Sequence, residues 1–190
     1  MHALRLLAPA KINLALEVTA RRPDGYHDID TVMTTIDLAD GVRLSPAPAL
    51  EVALTGPEAR GIDPADDLAG RAARALAAAA GHEPAVRIEV SKRIAAPAGL
   101  GGGSSDAAAV LRGLNVLWGL NWSLERLAEV AATLGSDVPF FLHCGAARCT
   151  GRGDLVQPQR DLKPLRLLVL VPPDGAVQNK TARRYGAHIP

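Results

Sequence analysis

The sequence predicts an α+β fold, on three observations. Strand-like and helix-like segments come in mixed order rather than strict alternation, which disfavours a doubly wound parallel sheet. The first third is dominated by short alternating or β-branched runs bounded by Pro, Gly and Asp, while two apolar-periodic segments follow one another in the second half. Between them lies Ala98-Gly99-Leu100-Gly101-Gly102-Gly103-Ser104-Ser105-Asp106, a glycine-rich loop that runs directly into a helical pattern.

Taken in order, Ile12–Val18 alternates imperfectly as a strand, and Arg21-Arg22-Pro23-Asp24-Gly25 is a turn with Pro, Asp and Gly in turn-forming roles. Further strands are expected at Ile29–Ile36, Val42–Leu44 and Leu50–Leu54. Asp66 or Asp67 caps an alanine-rich helix that stops at Gly81, and Val86–Val90 alternates cleanly as a half-buried strand. After the loop, Ala107, Val110, Leu111, Leu114 and Leu117 make the stripe of a core-facing helix ended by Gly119. Ser123 caps a second helix carrying Leu124, Leu127, Ala128, Ala131 and Leu134, closed by Gly135. Strands are expected near Ala146–Thr150 and, on a near-continuous apolar run, at Leu165–Val171; Val177–Pro190 reads as a short helix.

The chain has 190 residues, enough for one domain or a small pair with a real core. Aromatic residues make up 3%, so aliphatic side chains and alanine must fill the interior. With a formal net charge of +1 there is no broad field to attract nucleic acid or an anionic membrane, so any anion binding has to be local. No apolar window approaches the ~18 residues of a spanning helix, and the run Leu6–Ala10 is too short and too soon interrupted by Lys11 for a signal peptide. Cys144 and Cys149 with His143 match no common zinc spacing and make no disulfide framework, which favours reduced thiols and a cytoplasmic protein.

The glycine loop is the chief candidate site. Without Cβ atoms, Gly99, Gly101, Gly102 and Gly103 take positive φ readily and let a bulky anion approach the backbone. The helix that follows aims unpaired N–H groups and its positive dipole end at the same point. A phosphate chain suits that environment. The spelling is not that of a P-loop, for no Gly-Lys pair occurs, nor that of a dinucleotide fingerprint, for Ser104 stands where the third glycine belongs. A plain Gly/Ser linker would not feed an amphipathic helix without a break.

Three further clusters carry chemistry. Lys11, within Pro9-Ala10-Lys11-Ile12-Asn13, sits in an apolar strand, where a lysine is costly to bury unless paired; an exposed lysine at a strand start is the alternative. Asp24-Gly25-Tyr26-His27 offers an aromatic and an imidazole, or else a hairpin tip with an exposed ring. Asp137, in Gly135-Ser136-Asp137-Val138-Pro139, is a carboxylate available for proton transfer, or a capping residue in a short turn.

Together these clusters resemble the GHMP kinases, small-molecule kinases that include galactokinase, homoserine kinase and mevalonate kinase. The resemblance lies in Ala8–Leu14, Asp24–His27, Gly99–Ala108 and Leu134–Phe141, in the family's order, and extends to Thr181 and Tyr185 near the end. Tyr26-His27 with the Lys-Ile-Asn strand narrows it to members whose acceptor carries a cytidine diphosphate group, in non-mevalonate isoprenoid precursor synthesis. The resemblance implies ATP held by Pro97, Ala98, Gly99, Leu100, Gly101, Gly102, Gly103, Ser104 and Ser105, with Ser104 or Ser105 a contact for Mg2+. It implies that Asp137 takes the proton of the acceptor's 2-hydroxyl beside Lys11, and that Asn13, Tyr26, His27, Thr181 and Tyr185 bind the acceptor. Tyr26 would stack on cytosine, His27 would bond its edge, and Tyr185 would cover the opposite face. No nucleic acid or membrane partner is implied, and a monomer or weak homodimer is expected.

Two departures from the family pattern stand out. Pro97 occupies a position where the family has glycine, fixing φ and removing a donor. The family also continues into a second lobe. Residues 1–170 are expected to form the ATP- and substrate-binding lobe, and residues 171–190 the start of a C-terminal lobe absent from this chain. The alternatives left open are a truncated nucleotide-binding module without turnover, and a GHMP kinase for another small alcohol.

Overall fold

A computed structural model describes residues 3–63, 67–96, 98–160 and 162–171. Ten elements follow one another: β1 (Leu4–Arg21), β2 (His27–Pro46), β3 (Glu51–Thr55), α1 (Leu68–Ala80), β4 (Val86–Ser91), α2 (Gly102–Leu117), α3 (Leu124–Leu134), α4 (Val138–His143), β5 (Ala146–Thr150) and β6 (Leu155–Pro158). The α+β class expected from the mixed order holds.

The long hairpin β1–β2 is the spine of a mixed sheet. β1 runs antiparallel along one edge of β2, while the other edge takes β4 at Gly41–Pro46 and β5 at Thr31–Thr34. β3 extends the sheet by pairing parallel to β4, and β6 extends it by pairing antiparallel to β5. β1 breaks register with β2 between Pro9 and Lys11, between Asn13 and Ala15, and between Val18 and Ala20. Such bulges re-aim side chains. Here the first two flank Lys11 and Asn13.

Ile29–Ile36 and Val42–Leu44, expected as two strands, are one strand of 20 residues. The intervening Asp37-Leu38-Ala39-Asp40-Gly41 reads as a break because it is polar and carries glycine, yet Asp40 is wholly buried and accepts partners inside the molecule. α1 is capped by Asp67, whose carboxylate accepts the Ala69 N–H at 2.9 Å, and ends on Gly81 at φ 61° with His82 N–H donating to Ala77 O. α2 begins earlier than its apolar stripe, at Gly102, so half of the glycine loop is its first turn. Ser123 caps α3 as expected. α4 and β6 carry no periodic signal, being six and four residues long.

The helices bury one sheet face in a single cluster: Met33, Val42, Leu44, Ile88 and Val90 from the strands meet Leu76, Leu111, Leu114, Leu127 and Phe140. Alanines at positions 69, 72, 73, 107, 108, 109 and 131 let backbones approach closely, which explains how so few aromatics suffice.

Leu165–Val171 is not a strand. Among the described residues no strand lies beside it, and Leu168 and Leu170 are 84% and 80% exposed. Apolar sequence favours burial, but a strand needs a neighbour to take its backbone hydrogen bonds. The helix expected at Val177–Pro190 lies outside the described residues.

Gly113 tests the close packing. A Cβ there would press on Leu44 Cδ1 and lie 3.1 Å from Leu6 Cδ1. Gly113→Ala is expected to lower unfolding free energy by about 1–3 kcal/mol in urea titration despite alanine's better helix propensity. Val116→Ala, on the exposed side of the same helix, should stay within about 0.5 kcal/mol.

Candidate active site

The site begins at the bulge in β1. Lys11 N–H donates to Leu100 O at 2.9 Å, so the strand is tied to the glycine loop by its backbone. The Lys11 side chain is almost wholly buried. Its Nζ donates to Asn13 Oδ1 at 2.7 Å and lies 3.5 Å from Asp137 Oδ2. Asn13 Nδ2 donates to Thr31 Oγ1 at 2.7 Å, and that hydroxyl donates to Ala15 O at 2.6 Å. The lysine expected to be either exposed or paired is therefore paired, at the end of a continuous polar chain.

Asp137 occupies the N-cap position of α4 but its carboxylate makes no capping hydrogen bond. It is directed instead at Lys11 and remains one-third exposed. Burial, with the Asp137 charge adding to it, pushes the Cys149 thiol up to about 12 against the opposing pull of Lys11. The sulfur beneath the pair is thus a neutral packing group. Cys144 and Cys149 are both free thiols, and no cluster of three or more His, Cys, Asp or Glu side chains that could hold a metal occurs among the described residues.

Gly101 joins the loop to this pair. It has φ 74°, and a Cβ on it would lie 2.8 Å from the Phe141 ring and 3.2 Å from Lys11 Cγ. Gly99, at φ 80°, has open space around it. Helical geometry leaves the first-turn N–H groups of α2 without intrahelical acceptors, facing the same opening. Ser104 is half-buried; Ser105 Oγ is buried with no hydrogen-bond partner among the described residues. Ala98 and Leu100 complete the loop, Leu100 packing with Ala10 and Ile94. Pro97, Thr181 and Tyr185 lie outside the described residues.

Behind the loop is a group that the sequence did not disclose. Lys92 Nζ, 2% exposed, pairs with Asp40 and lies 2.5 Å from Asp106 Oδ2. Asp40 Oδ1 also accepts the Arg93 and Ile94 N–H groups, at 2.5 and 2.8 Å. Asp106 Oδ1 has no hydrogen-bond partner among the described residues. Burial disfavours the Lys92 ammonium, but its two carboxylates outweigh that and raise its pKa. Burial pushes the Asp106 carboxyl up to about 7 against the pull of Lys92, with Asp40 and Asp67 adding like charge. A lysine just past an alternating strand reads as a solvated end, and no local signal marks it otherwise.

At the far end, Tyr26 caps the β1–β2 hairpin. Its N–H donates to Asp24 Oδ1 at 3.1 Å and its carbonyl accepts from Arg22 N–H at 2.9 Å, with Gly25 at φ 84°. The ring is half-exposed, and the Arg152 guanidinium lies 5.0 Å from its centroid. His27 opens β2 and is half-buried. Four residues of strand, roughly 13 Å, separate it from Thr31 in the Lys11–Asn13 chain. The same hairpin therefore carries both the Lys11–Asn13–Thr31 chain and the Tyr26–His27 tip.

Residues 67–145, which include the loop, Lys92, Asp106 and Asp137, match the family described as GHMP kinases N terminal domain. Over that stretch the chain is similar to the N-terminal domain of GHMP kinases. It is 46% identical over 180 residues to a 4-diphosphocytidyl-2-C-methyl-D-erythritol kinase of Exiguobacterium sibiricum, covering 95% of this chain and 62% of that protein. The kinase of the same name from Geobacillus thermodenitrificans is 46% identical over 173 residues, covering 90% and 60%. A crystal structure of 4-(cytidine 5'-diphospho)-2C-methyl-D-erythritol kinase superposes with a TM-score of 0.68 at 43% identity, over 82% of this chain and 55% of that one. The chain thus spans about three-fifths of the length of the curated relatives it matches. The mixed sheet with helices on one face matches the GHMP-kinase N-terminal lobe expected from the motifs. Among the described residues no helix is long and apolar enough to cross a membrane.

The Asp106 carboxyl gives a pH test. Its ordinary value is 3.8 and its folded value about 7, so the proton is held more tightly in the folded state. Stability from this group is full below about 4 and is lost as pH rises to about 7. Asp106→Asn should remove that dependence, so the difference in unfolding free energy, native chain minus variant, should fall between pH 4 and 7. A flat difference measured by urea titration would mean that Asp106 stays ionised throughout.

Proposed function

We propose that the GHMP-kinase domain of this chain serves an ATP-dependent kinase that phosphorylates the 2-hydroxyl of 4-diphosphocytidyl-2-C-methyl-D-erythritol, in non-mevalonate isoprenoid precursor synthesis. The observation that carries the reading is the Lys11–Asp137 pair at 3.5 Å, the Asp137 carboxylate free of any capping bond and the Lys11 stem against Gly101 of the loop. Close identity to kinases bearing that name supports the acceptor.

Phosphoryl transfer demands positioning and charge neutralisation more than covalent work by the protein. In the proposed reaction Asp137 accepts the proton of the attacking hydroxyl. Lys11 balances the negative charge gathering there, held in place by Asn13 and its Thr31 anchor. The loop from Pro97 to Ser105 holds the ATP phosphates through its backbone N–H groups. The unpartnered Ser105 Oγ fits a magnesium contact, with the neighbouring Ser104 the other candidate; Mg2+ takes few protein oxygens beside phosphates and would supply charge neutralisation. Tyr26 stacks on the cytosine and His27 bonds its edge, with Asn13, Thr181 and Tyr185 completing the acceptor contacts. The compartment proposed is the cytoplasm, and the protein a monomer or weak homodimer.

Asp137→Asn should lower kcat at least ~10²-fold in ADP-release assays while leaving ATP binding nearly unchanged. Near-normal turnover would return Asp137 to a structural role. ATP and acceptor binding without ADP release from the unsubstituted chain would favour a binding module instead.

Tyr26→Ala should weaken the cytidine diphosphate acceptor by about 1–3 kcal/mol in calorimetry and spare ATP. Equal weakening of both ligands would mark a folding defect rather than a lost stacking face.

A further inference from the structure

We propose that Arg152 is a positioning residue of the base pocket: its guanidinium holds one face of the Tyr26 ring and so reserves the other for the cytosine. The inference rests on the acceptor reading above and adds a residue to it.

The β5–β6 turn is built to deliver this side chain. Gly151 and Gly153 take φ 65° and 96°, and Gly153 N–H donates to Thr150 O at 3.0 Å. Asp154 folds back across the turn, Oδ1 accepting the Arg152 N–H at 3.1 Å and Oδ2 lying 3.4 Å from Arg152 Nη2. A Cβ at Gly151 would lie 3.2 Å from Asp154 Oδ1, so the glycine makes room for that carboxylate. Ile29 N–H donates to Gly151 O at 2.8 Å, which fastens the turn to β2 two residues beyond His27. Backbone, carboxylate and strand all constrain where the guanidinium goes.

It goes to Tyr26. The guanidinium carbon lies 5.0 Å from the ring centroid, within the range over which a cation is attracted to an aromatic face. Arg22, also at this hairpin tip, pairs with Asp24 and Asp28. A tyrosine at a half-exposed tip has two free side-chain torsions and would have to be ordered on binding. A cation on one face orders it in advance, and a ring already covered on one side can stack a base only on the other.

The test is calorimetry of the native chain with CDP, cytidine and ATP, repeated with Arg152→Met, Arg152→Lys, Tyr26→Ala and the Tyr26→Ala/Arg152→Met pair. Arg152→Met should weaken CDP and cytidine alike by about two- to fivefold and leave ATP unchanged. Arg152→Lys, which keeps a cation, should recover most of the loss. With Tyr26 already removed, Arg152→Met should have no further effect. A loss with CDP but not cytidine, or an equal loss in both backgrounds, would overturn the proposal by making Arg152 a phosphate contact or a general structural group. If Tyr26→Ala leaves CDP affinity unchanged, the base-pocket reading itself fails, whatever Arg152 does.

Discussion

The ammonium of Lys92 is the constraint on which the placement of the site depends. It lies between Asp40 of β2 and Asp106 of α2, on the segment leaving β4, and all three groups are shut away from water. Desolvating an ion pair costs several kcal/mol per charge, and removing one partner costs more than removing both. The three elements therefore cannot separate by even a small distance without stranding a buried charge. Asp40 adds the amide groups of Arg93 and Ile94 to the same knot, so the chain entering the glycine loop is anchored immediately before it begins.

From that anchor the rest of the site follows by short steps. The loop leaves Ile94, passes Leu100, whose carbonyl takes the Lys11 amide, and enters α2 at Gly102. Lys11 thereby acquires a fixed height relative to the loop, and its ammonium reaches Asp137. Lys11 and Asn13, two residues apart, share one face of β1 as strand periodicity requires, and the register breaks lie on either side of them.

Much of this was legible in the sequence, and for different reasons in different places. The two capped helices, Asp67 to Gly81 and Ser123 to Leu134, follow from side-chain chemistry that acts within one turn. The glycine loop declared itself by composition, and Lys11 and Asp137 by their motifs, although only the fold shows that 126 residues of separation close to an ion pair. The failures share a cause. No local signal marks Asp40 or Lys92, because their partners are remote in sequence, and Leu165–Val171 read as a buried strand because hydropathy says nothing about whether a neighbouring backbone is there. Local rules see propensity; they do not see partners.

Gly101 has a consequence for how such a site can change over generations. Its missing side chain is the space in which the Phe141 ring and the Lys11 stem meet the loop. A substitution there does not adjust the glycine loop alone; it displaces the lysine and the short helix behind Asp137 with the same stroke. The two halves of the opening are consequently one heritable trait. Variation that leaves both halves intact has to arise away from this junction, on surfaces such as the exposed side of α2 at Val116.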